Sequence, residues 1–533
     1  MSTVREATYE VLRSLRMTTI FGNPGSNELP FLDRLPSDFQ YILALHEGAA
    51  LAMADGYSQA TGRPVLVNLH AAAGVGMAMG SLVNAQVLGT PLVIMSGQQS
   101  RSMLTLEAQL TIRDAIVLPR PLVKWSFEAP DPASVSAVIA RAAHIAMAPP
   151  RGPVFVSVPL DDWYHEANSD HTALLTARHV SARPAPSTDL LKSIADRLNS
   201  ARNPLLVMGN ELDTDEGWQS GVDLAEKCGA GVRLTIEPAR ISFPTQHSNF
   251  LGTLGTTIAV VRKQLAGHDL VIVLGAPAFR YHAWSPGSYL PDETQLIMIT
   301  SDADQAARAP MGDAIVGDPI AAMQGLHRLV QLKPARRPTK TTQPSASSSI
   351  SGKITVKQFN DVLAQTSPPD TVFTTEAFSL GSWWEQIPLT RPKSFFSGAA
   401  GALGFALPAA VGAGLAFGTR PVIALVGDGS ANYSITGLWT AAQQKVPCTF
   451  VIVRNGVYQA LEDYGVYLGA EDLPGMNLPG IDFVSVAAGY GVQGRRVSTA
   501  VDMAEALKAA IDARKPSLLE VEVEPTDTGM FKK

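Results

Sequence analysis

Short runs of apolar and β-branched residues punctuate this chain, and between them the apolar positions recur at helical spacing. A run with no polar face is what a strand covered by helices on both sides requires. In the first third such runs fall at 18–21, 41–45, 65–69, 92–96 and 154–158. Patterning predicts helices over 48–60 and 77–88, and Gly22-Asn23-Pro24-Gly25-Ser26 predicts a turn after the first strand. The middle third repeats the alternation, with strands expected at 205–208, 270–274 and 296–299. In the last third the run 422–426 stops at Gly427-Asp428-Gly429-Ser430. A helical segment follows, Pro447 ends it, and a further run over 449–453 leads to Asn455. This alternation predicts an α/β chain of doubly wound parallel sheets.

Two polar stretches interrupt the pattern: SARPAPS at 181–187 and PARRPTKTTQPSASSSISG at 334–352. Both have linker composition. They divide the chain into units 1–180, 188–333 and 353–533, about the number of domains that 533 residues lead one to expect. The first and third units carry an internal repeat. Gly62-Arg63-Pro64-Val65 aligns with Thr419-Arg420-Pro421-Val422, and Leu82, Ala85 and Pro91 match Leu438, Ala441 and Pro447 at equal spacing. The two units read as diverged copies of one fold. His70-Ala71-Ala72-Ala73-Gly74 stands in the first copy where Gly427-Asp428-Gly429-Ser430 stands in the third. Paired, specialised copies point to one ligand held between two domains.

Composition narrows the class. Hydrophobic residues make up 46% and charged residues 17%, as expected of a well-buried enzyme. A net charge of −6 gives no electrostatic basis for binding nucleic acid or an anionic membrane. Two cysteines, Cys228 and Cys448, form no paired framework, and the first residues hold no secretory apolar core, so a cytoplasmic location is expected. Residues 397–418 are uncharged over nearly a bilayer's thickness, but their Gly, Ala and Pro content reads as a packed loop and helix beside a ligand.

Asp428 and Asn455 end two successive strands, where open α/β sheets bind ligands. A carboxylate plus an amide oxygen suits a hard divalent cation with a diphosphate as co-ligand. Glycines around Asp428 permit close backbone approach, and a helix start adds N–H donors. Glu47 follows the 41–45 strand. Its bland reading is a solvated glutamate at a helix start. Its functional reading is a carboxylate in an apolar site, with proton affinity raised by burial.

Gly-Asp-Gly followed by Asn at the end of the next strand resembles the signature of thiamin-diphosphate enzymes of the pyruvate-decarboxylase type. That signature ends in Asn-Asn. Here Arg454 replaces the first Asn, Asn455 matches the metal ligand, and the carbonyl of Val457 matches the third ligand. FGNPGSNELP (21–30), the His70 loop, PRPLVKWS (119–126), GAPAFRYH (275–282), RAPMGDAIV (308–316) and GFALPAA (404–410) extend the likeness nearly end to end. The chain resembles the benzoylformate decarboxylase family.

That resemblance implies thiamin diphosphate and Mg2+ (with Ca2+ as a substitute), a small 2-oxo acid substrate, and a homotetramer with active sites between subunits. It implies that Glu47 activates the cofactor, Ser26 contacts the substrate carboxylate, and His70 handles protons at the substrate oxygen. His282 then protonates the carbon that has lost carbon dioxide. Gly401, Leu403, Gly427, Asp428, Gly429, Ser430, Asn455 and Tyr458 would line the cofactor, with Leu403 under its thiazolium. Ser26, Leu110, Phe378, Ala460 and Leu461 would line the substrate pocket. Phe378, Glu462-Asp463 and His46 depart from the family pattern and bear on side-chain preference. A decarboxylase for other 2-oxo acids and an acetolactate-synthase-like carboligase are the alternatives. The latter often carries flavin, and 188–333 holds no independent flavin motif.

Overall fold

The computed structural model describes residues 2–334, 353–526 and Phe531. It contains three parallel six-stranded sheets. The first is built from β1 (Thr19–Asn23), β2 (Gln40–Leu43), β3 (Val65–Leu69), β4 (Leu92–Gln98), β5 (Ser126–Glu128) and β6 (Val154–Pro159), in the order β2-β1-β3-β4-β6-β5. The middle sheet uses β7 (Pro204–Met208), β8 (Gly231–Leu234), β9 (Phe250–Thr253), β10 (Leu270–Leu274), β11 (Gln295–Thr300) and β12 (Asp313–Val316), ordered β12-β11-β10-β7-β8-β9. The third uses β13 (Val372–Glu376), β14 (Phe395–Ser397), β15 (Val422–Gly427), β16 (Cys448–Arg454), β17 (Gln493–Val497) and β18 (Ser517–Glu522), ordered β14-β13-β15-β16-β18-β17. The first and third orders are the same when each sheet is counted from its own first strand. The internal repeat is therefore a repeat of topology.

The two copies meet through equivalent helices. Glu47–Thr61 follows β2, Ala406–Phe417 follows β14, and they pack so closely that only glycine fits at the crossing. A Cβ at Gly412 would lie 1.9 Å from the Met53 carbonyl oxygen, and one at Gly56 would lie 2.3 Å from that of Ala409. The uncharged 397–418 stretch is thus a loop and a buried helix of 12 residues.

The expected elements differ from the observed ones mainly at their ends. β1 runs on to Asn23, so the 22–26 turn begins late and Ser26 opens a short 3-10 turn, Ser26–Glu28. The helix expected at 77–88 begins at Ala71. The run AAAGVG carries no amphipathic signal; its three alanines favour a helix, and burial of Ala71, Gly74 and Val75 offsets the cost of its two glycines. This helix is the one among the described residues long and apolar enough to cross a membrane. It lies between β3 and β4 in the first sheet, with Ala72, Ala73, Gly76, Met77 and Gly80 exposed on its outer face. The stretch expected as a linker over 334–352 lies outside the described residues except Pro334. Arg183, within 181–187, pairs with Asp318 and Glu216 of the middle unit.

Candidate active site

In both outer sheets the strand order reverses between the first and third strands, and the carboxyl ends there form the crevice where open sheets bind ligands. In the first sheet these ends deliver Asn23 and, just past Leu69, His70. In the third they deliver Glu376 and, past Gly427, Asp428. The chemistry-bearing residues gather at these two points.

The first group is Ser26, Glu47, His70 and Leu110. Glu47 is the first residue of its helix, capped by His46, whose Nδ1 accepts the Gly48 N–H at 3.0 Å. His46 is thus used as a helix cap. Asn23 Nδ2 donates to Glu47 Oε1 at 3.2 Å, and Gly74 separates Glu47 from His70. The apolar burial expected for Glu47 is not met within one chain: it is half-buried. Ser26 is exposed, and Leu110, at φ 70°, accepts from Asn27 Nδ2 through its carbonyl. Leu110 and Leu461 are 36% and 52% exposed, so neither is a core residue in the single chain.

One residue here escaped the sequence reading. Glu28 is buried, and its carboxylate accepts from the N–H groups of Gly25 (2.9 Å), Ala71 (3.2 Å) and Gly97 (2.8 Å). Its Oε2 also lies 2.8 Å from His70 Nδ1. A carboxylate accepts, so His70 carries its proton on Nδ1 and leaves Nε2 without a partner among the described residues. Glu28 also holds Ala71 at φ 41°, a costly conformation for a residue with a side chain. Only half of a capping box forms here, the Glu28 carboxylate on the Gly25 N–H, and a glycine at the cap leaves no sequence signal for it.

The second group lines a cleft of about 2370 Å³ beside the third sheet. It contains Gly401, Leu403, Gly427, Asp428, Gly429, Ser430, Asn455, Val457, Tyr458, His282, Phe378, Ala460 and Leu461. β15 and β16 pair in parallel, so Asp428 and Asn455 leave neighbouring strand ends as expected. Asp428 Oδ2 accepts from Gly456 N–H at 2.7 Å and Oδ1 from Gly429 N–H at 2.9 Å, while burial pushes its carboxyl up. Asn455 Oδ1 accepts from Val457 N–H at 3.2 Å. No cluster of three His, Cys, Asp or Glu side chains suited to a metal occurs among the described residues. Asp428, the Asn455 amide oxygen and the Val457 carbonyl are an all-oxygen set that fits Mg2+ or Ca2+ completed by a diphosphate. Gly429 is required by Tyr458, whose ring would lie 2.3 Å from a Cβ there.

Arg454 points away from this chemistry: its guanidinium pairs with Glu520 and Glu522 on β18. His282 comes from the middle unit, and its Nδ1 lies 3.1 Å from Glu237 Oε1. That hydrogen bond pushes the imidazole up, against the opposing effect of burial. Phe531 and Tyr464 pack edge-on against the ring, at 4.9 and 5.6 Å between centroids. Neither aromatic, nor Glu237, was singled out from sequence. Asp463 accepts from Gln459 Nε2, which ties down one of the two departing acids.

The two groups are not brought together within one chain. The Ala71–Leu88 helix starts beside His70, and Asn84 near its other end binds the cofactor-side loop: Ala400 N–H donates to Oδ1, and Nδ2 donates to the Ala402 carbonyl. Fourteen residues at 1.5 Å each separate these ends by about 21 Å.

Comparison with known proteins adds the chain's relatives. Residues 2–116, 191–326 and 379–521 match, in turn, the N-terminal TPP-binding, central and C-terminal TPP-binding domains of thiamine pyrophosphate enzymes. The chain is 46% identical over 533 residues to a benzoylformate decarboxylase of Pseudomonas aeruginosa, with 99% of each covered. It is similar to the solved 4-hydroxybenzoylformate decarboxylase of Rhodococcus jostii RHA1, at TM-score 0.96 and 45% identity over 99% of this chain and 100% of that one. The benzoylformate decarboxylase structure from Polynucleobacter necessarius follows at TM-score 0.94 and 36% identity, with 99% of each chain covered. An acetolactate synthase large subunit of Escherichia coli is 25% identical over 95% of this chain and 91% of its own.

Proposed function

The chain belongs to the thiamine pyrophosphate enzyme family, and from that premise we propose that it converts benzoylformate to benzaldehyde and carbon dioxide. Decarboxylation of a 2-oxo acid with thiamin diphosphate is the activity its full-length relatives carry. The supporting observation is a cleft wall that joins an all-oxygen metal cradle to apolar side chains, the exposed Leu461 and the half-buried Phe378 among them, as an aryl group needs.

Asp428, Asn455 and the Val457 carbonyl would hold Mg2+, whose charge would anchor a diphosphate. Thiamin diphosphate, when bound, supplies the sink for the electron pair that departing carbon dioxide leaves behind. Leu403 would support the cofactor, and Glu47 would hold a proton for its pyrimidine ring. Ser26 Oγ binds the substrate carboxylate. His70 Nε2 manages the proton at the carbonyl oxygen, and His282 delivers one to the carbon that has lost its carboxylate. The carbon–carbon bond breaks, that carbon gains a proton, and nothing is oxidised.

Because His70 and Asn84, which holds the cofactor-side loop, lie about 21 Å apart along one helix, we infer that each working site joins the first unit of one subunit to the third unit of another, within a homotetramer. The exposed small-residue face beside Glu47 and His70 supports this, since a Cβ at Gly76 or Gly80 would meet nothing within 4 Å in the single chain. A second subunit on that face would complete the burial that Glu47 lacks.

The test is a steady-state comparison of benzoylformate, 4-hydroxybenzoylformate, pyruvate and a branched 2-oxo acid, with thiamin diphosphate and Mg2+ added. The expected result is the highest kcat/KM with benzoylformate. Preference for pyruvate, with acetolactate as product, would establish the carboligase reading instead.

A further inference from the structure

Three pieces of backbone build the third-sheet half of the cleft: the end of β13, the Gly427–Ser430 loop, and the loop carrying Gly401 and Leu403. They are remote in sequence, and one residue touches all three. Glu376 ends β13 and is 2% exposed. Its Oε1 accepts the Phe405 N–H at 2.8 Å and its Oε2 the Gly404 N–H at 3.2 Å. Its own carbonyl accepts from Ser430 Oγ at 3.4 Å, and in register it pairs with Val426, one residue before Gly427.

Leu403 therefore sits between two anchors. On one side Asn84 binds Ala400 and Ala402; on the other Glu376 binds Gly404 and Phe405. Gly404 adopts φ 103°, and a Cβ there would press on Tyr433 at 3.0 Å, so the loop has little freedom to choose another path. The partners of the Glu376 carboxylate are backbone N–H groups, and no cation among the described residues pairs with it to offset its burial. Burial pushes this carboxyl up to about 7. A buried acid without a counter-charge is a costly way to finish a strand, and a neutral side chain would do that as well. Holding two successive N–H groups at once, however, needs two acceptor oxygens.

We propose that Glu376 is a positioning residue for decarboxylation: it fixes Leu403 against the cofactor by holding both N–H groups that follow it. This rests on the reading above that Leu403 lies under the thiazolium.

The test uses the full-length holoenzyme and two substitutions, Glu376→Gln and Leu403→Ala, alone and together. Glutamine keeps one acceptor oxygen and turns an NH2 toward the other N–H, so one anchor is lost. A misplacement of this kind costs about 10- to 100-fold in kcat. Thiamin diphosphate affinity, followed by tryptophan fluorescence of the apoprotein in Mg2+, is expected to change less than about threefold, because Asp428 and Asn455 are untouched. The near-ultraviolet circular dichroism band of the bound cofactor is expected to change alike in both single variants. The double variant is expected to be no slower than the slower single one. Losses that multiply in the double variant, or a Glu376→Gln enzyme altered only in melting temperature, would overturn the proposal. So would a Leu403→Ala enzyme with wild-type kcat. A wild-type chain that decarboxylates no 2-oxo acid overturns the functional reading instead, and the cofactor band, which needs no turnover, still decides the positioning role.

Discussion

Glu28→Gln is the sharpest single-atom perturbation available at the first-sheet half of the site. The carboxylate accepts four hydrogen bonds, two on each oxygen: Ala71 and Gly97 N–H on Oε1, Gly25 N–H and His70 Nδ1–H on Oε2. Glutamine offers one oxygen and one NH2, so its orientation is decided by which pair suffers less. With NH2 toward Ala71 and Gly97, two buried N–H groups lose their acceptor. With NH2 toward Gly25 and His70, only the Gly25 N–H is orphaned, because the imidazole can shift its proton to Nε2 and accept at Nδ1. Each orphaned donor costs about 1–3 kcal/mol, so the second orientation prevails, and stability falls by about that amount once. The imidazole now presents N–H where it formerly presented a lone pair. A wrong histidine tautomer of this kind lowers turnover by up to about 10⁴ in the serine protease case, and a loss on the order of 10³ is expected here. Steady-state kcat with benzoylformate reads the rate, thermal unfolding reads the stability, and cofactor affinity serves as the control expected to stay unchanged. A variant within about threefold of wild-type kcat, with the same loss of stability, would refute the assignment of His70 tautomer to Glu28.

Stability should fall as pH rises from about 4 to about 7. Burial pushes Asp55 up to about 6 and Glu376 up to about 7. Both lie above their unfolded values, so each contribution is fully present below the ordinary carboxyl range and is lost as pH climbs through the raised value. The loss is on the order of 3 kcal/mol per group. Asp55→Asn should flatten the dependence of urea midpoints between about pH 4 and pH 6, and an unchanged slope would refute the assignment. Gly412→Ala drives a methyl group into the Met53 carbonyl, 1.9 Å away, and should cost about 3 kcal/mol or prevent folding; a melting temperature within a degree or so of wild type would contradict the helix crossing. Asp428→Ala should abolish the thermal stabilisation that Mg2+ with thiamin diphosphate gives wild type, about 2.7 kcal/mol at a hundredfold excess over Kd. Retained stabilisation would move the metal elsewhere.

What the sequence made legible is what neighbours in the chain determine. Asp428 and Asn455 could be placed because strand ends are visible as the ends of apolar runs, and parallel pairing then fixes their proximity. The topological repeat was visible because Pro91 and Pro447 close equivalent segments. Glu28 was missed because its four partners come from residues 25, 70, 71 and 97, and no local pattern reports such a convergence. Arg454 looked like a defect in a motif, and only its cross-strand partners on β18 explain it. The burial expected of Glu47 is not met in the single chain, where it is half-buried, and a subunit contact of the kind proposed above leaves no pattern in the chain that a sequence reading could use.

The placing of the two residue groups at opposite ends of the Ala71–Leu88 helix, about 21 Å from His70 to Asn84, has a genetic consequence. If a working site draws one group from each of two chains, a defect in Glu47 and a defect in Asp428 are not equivalent lesions and need not be additive. Two inactive proteins, Glu47→Gln and Asp428→Ala, denatured together and refolded as a mixture, would form hybrid pairs by the symmetry of the interface. Each hybrid pair would hold one doubly damaged site and one site with no damage at all. On the order of a quarter of all sites would then work in an equal mixture, although neither parent does.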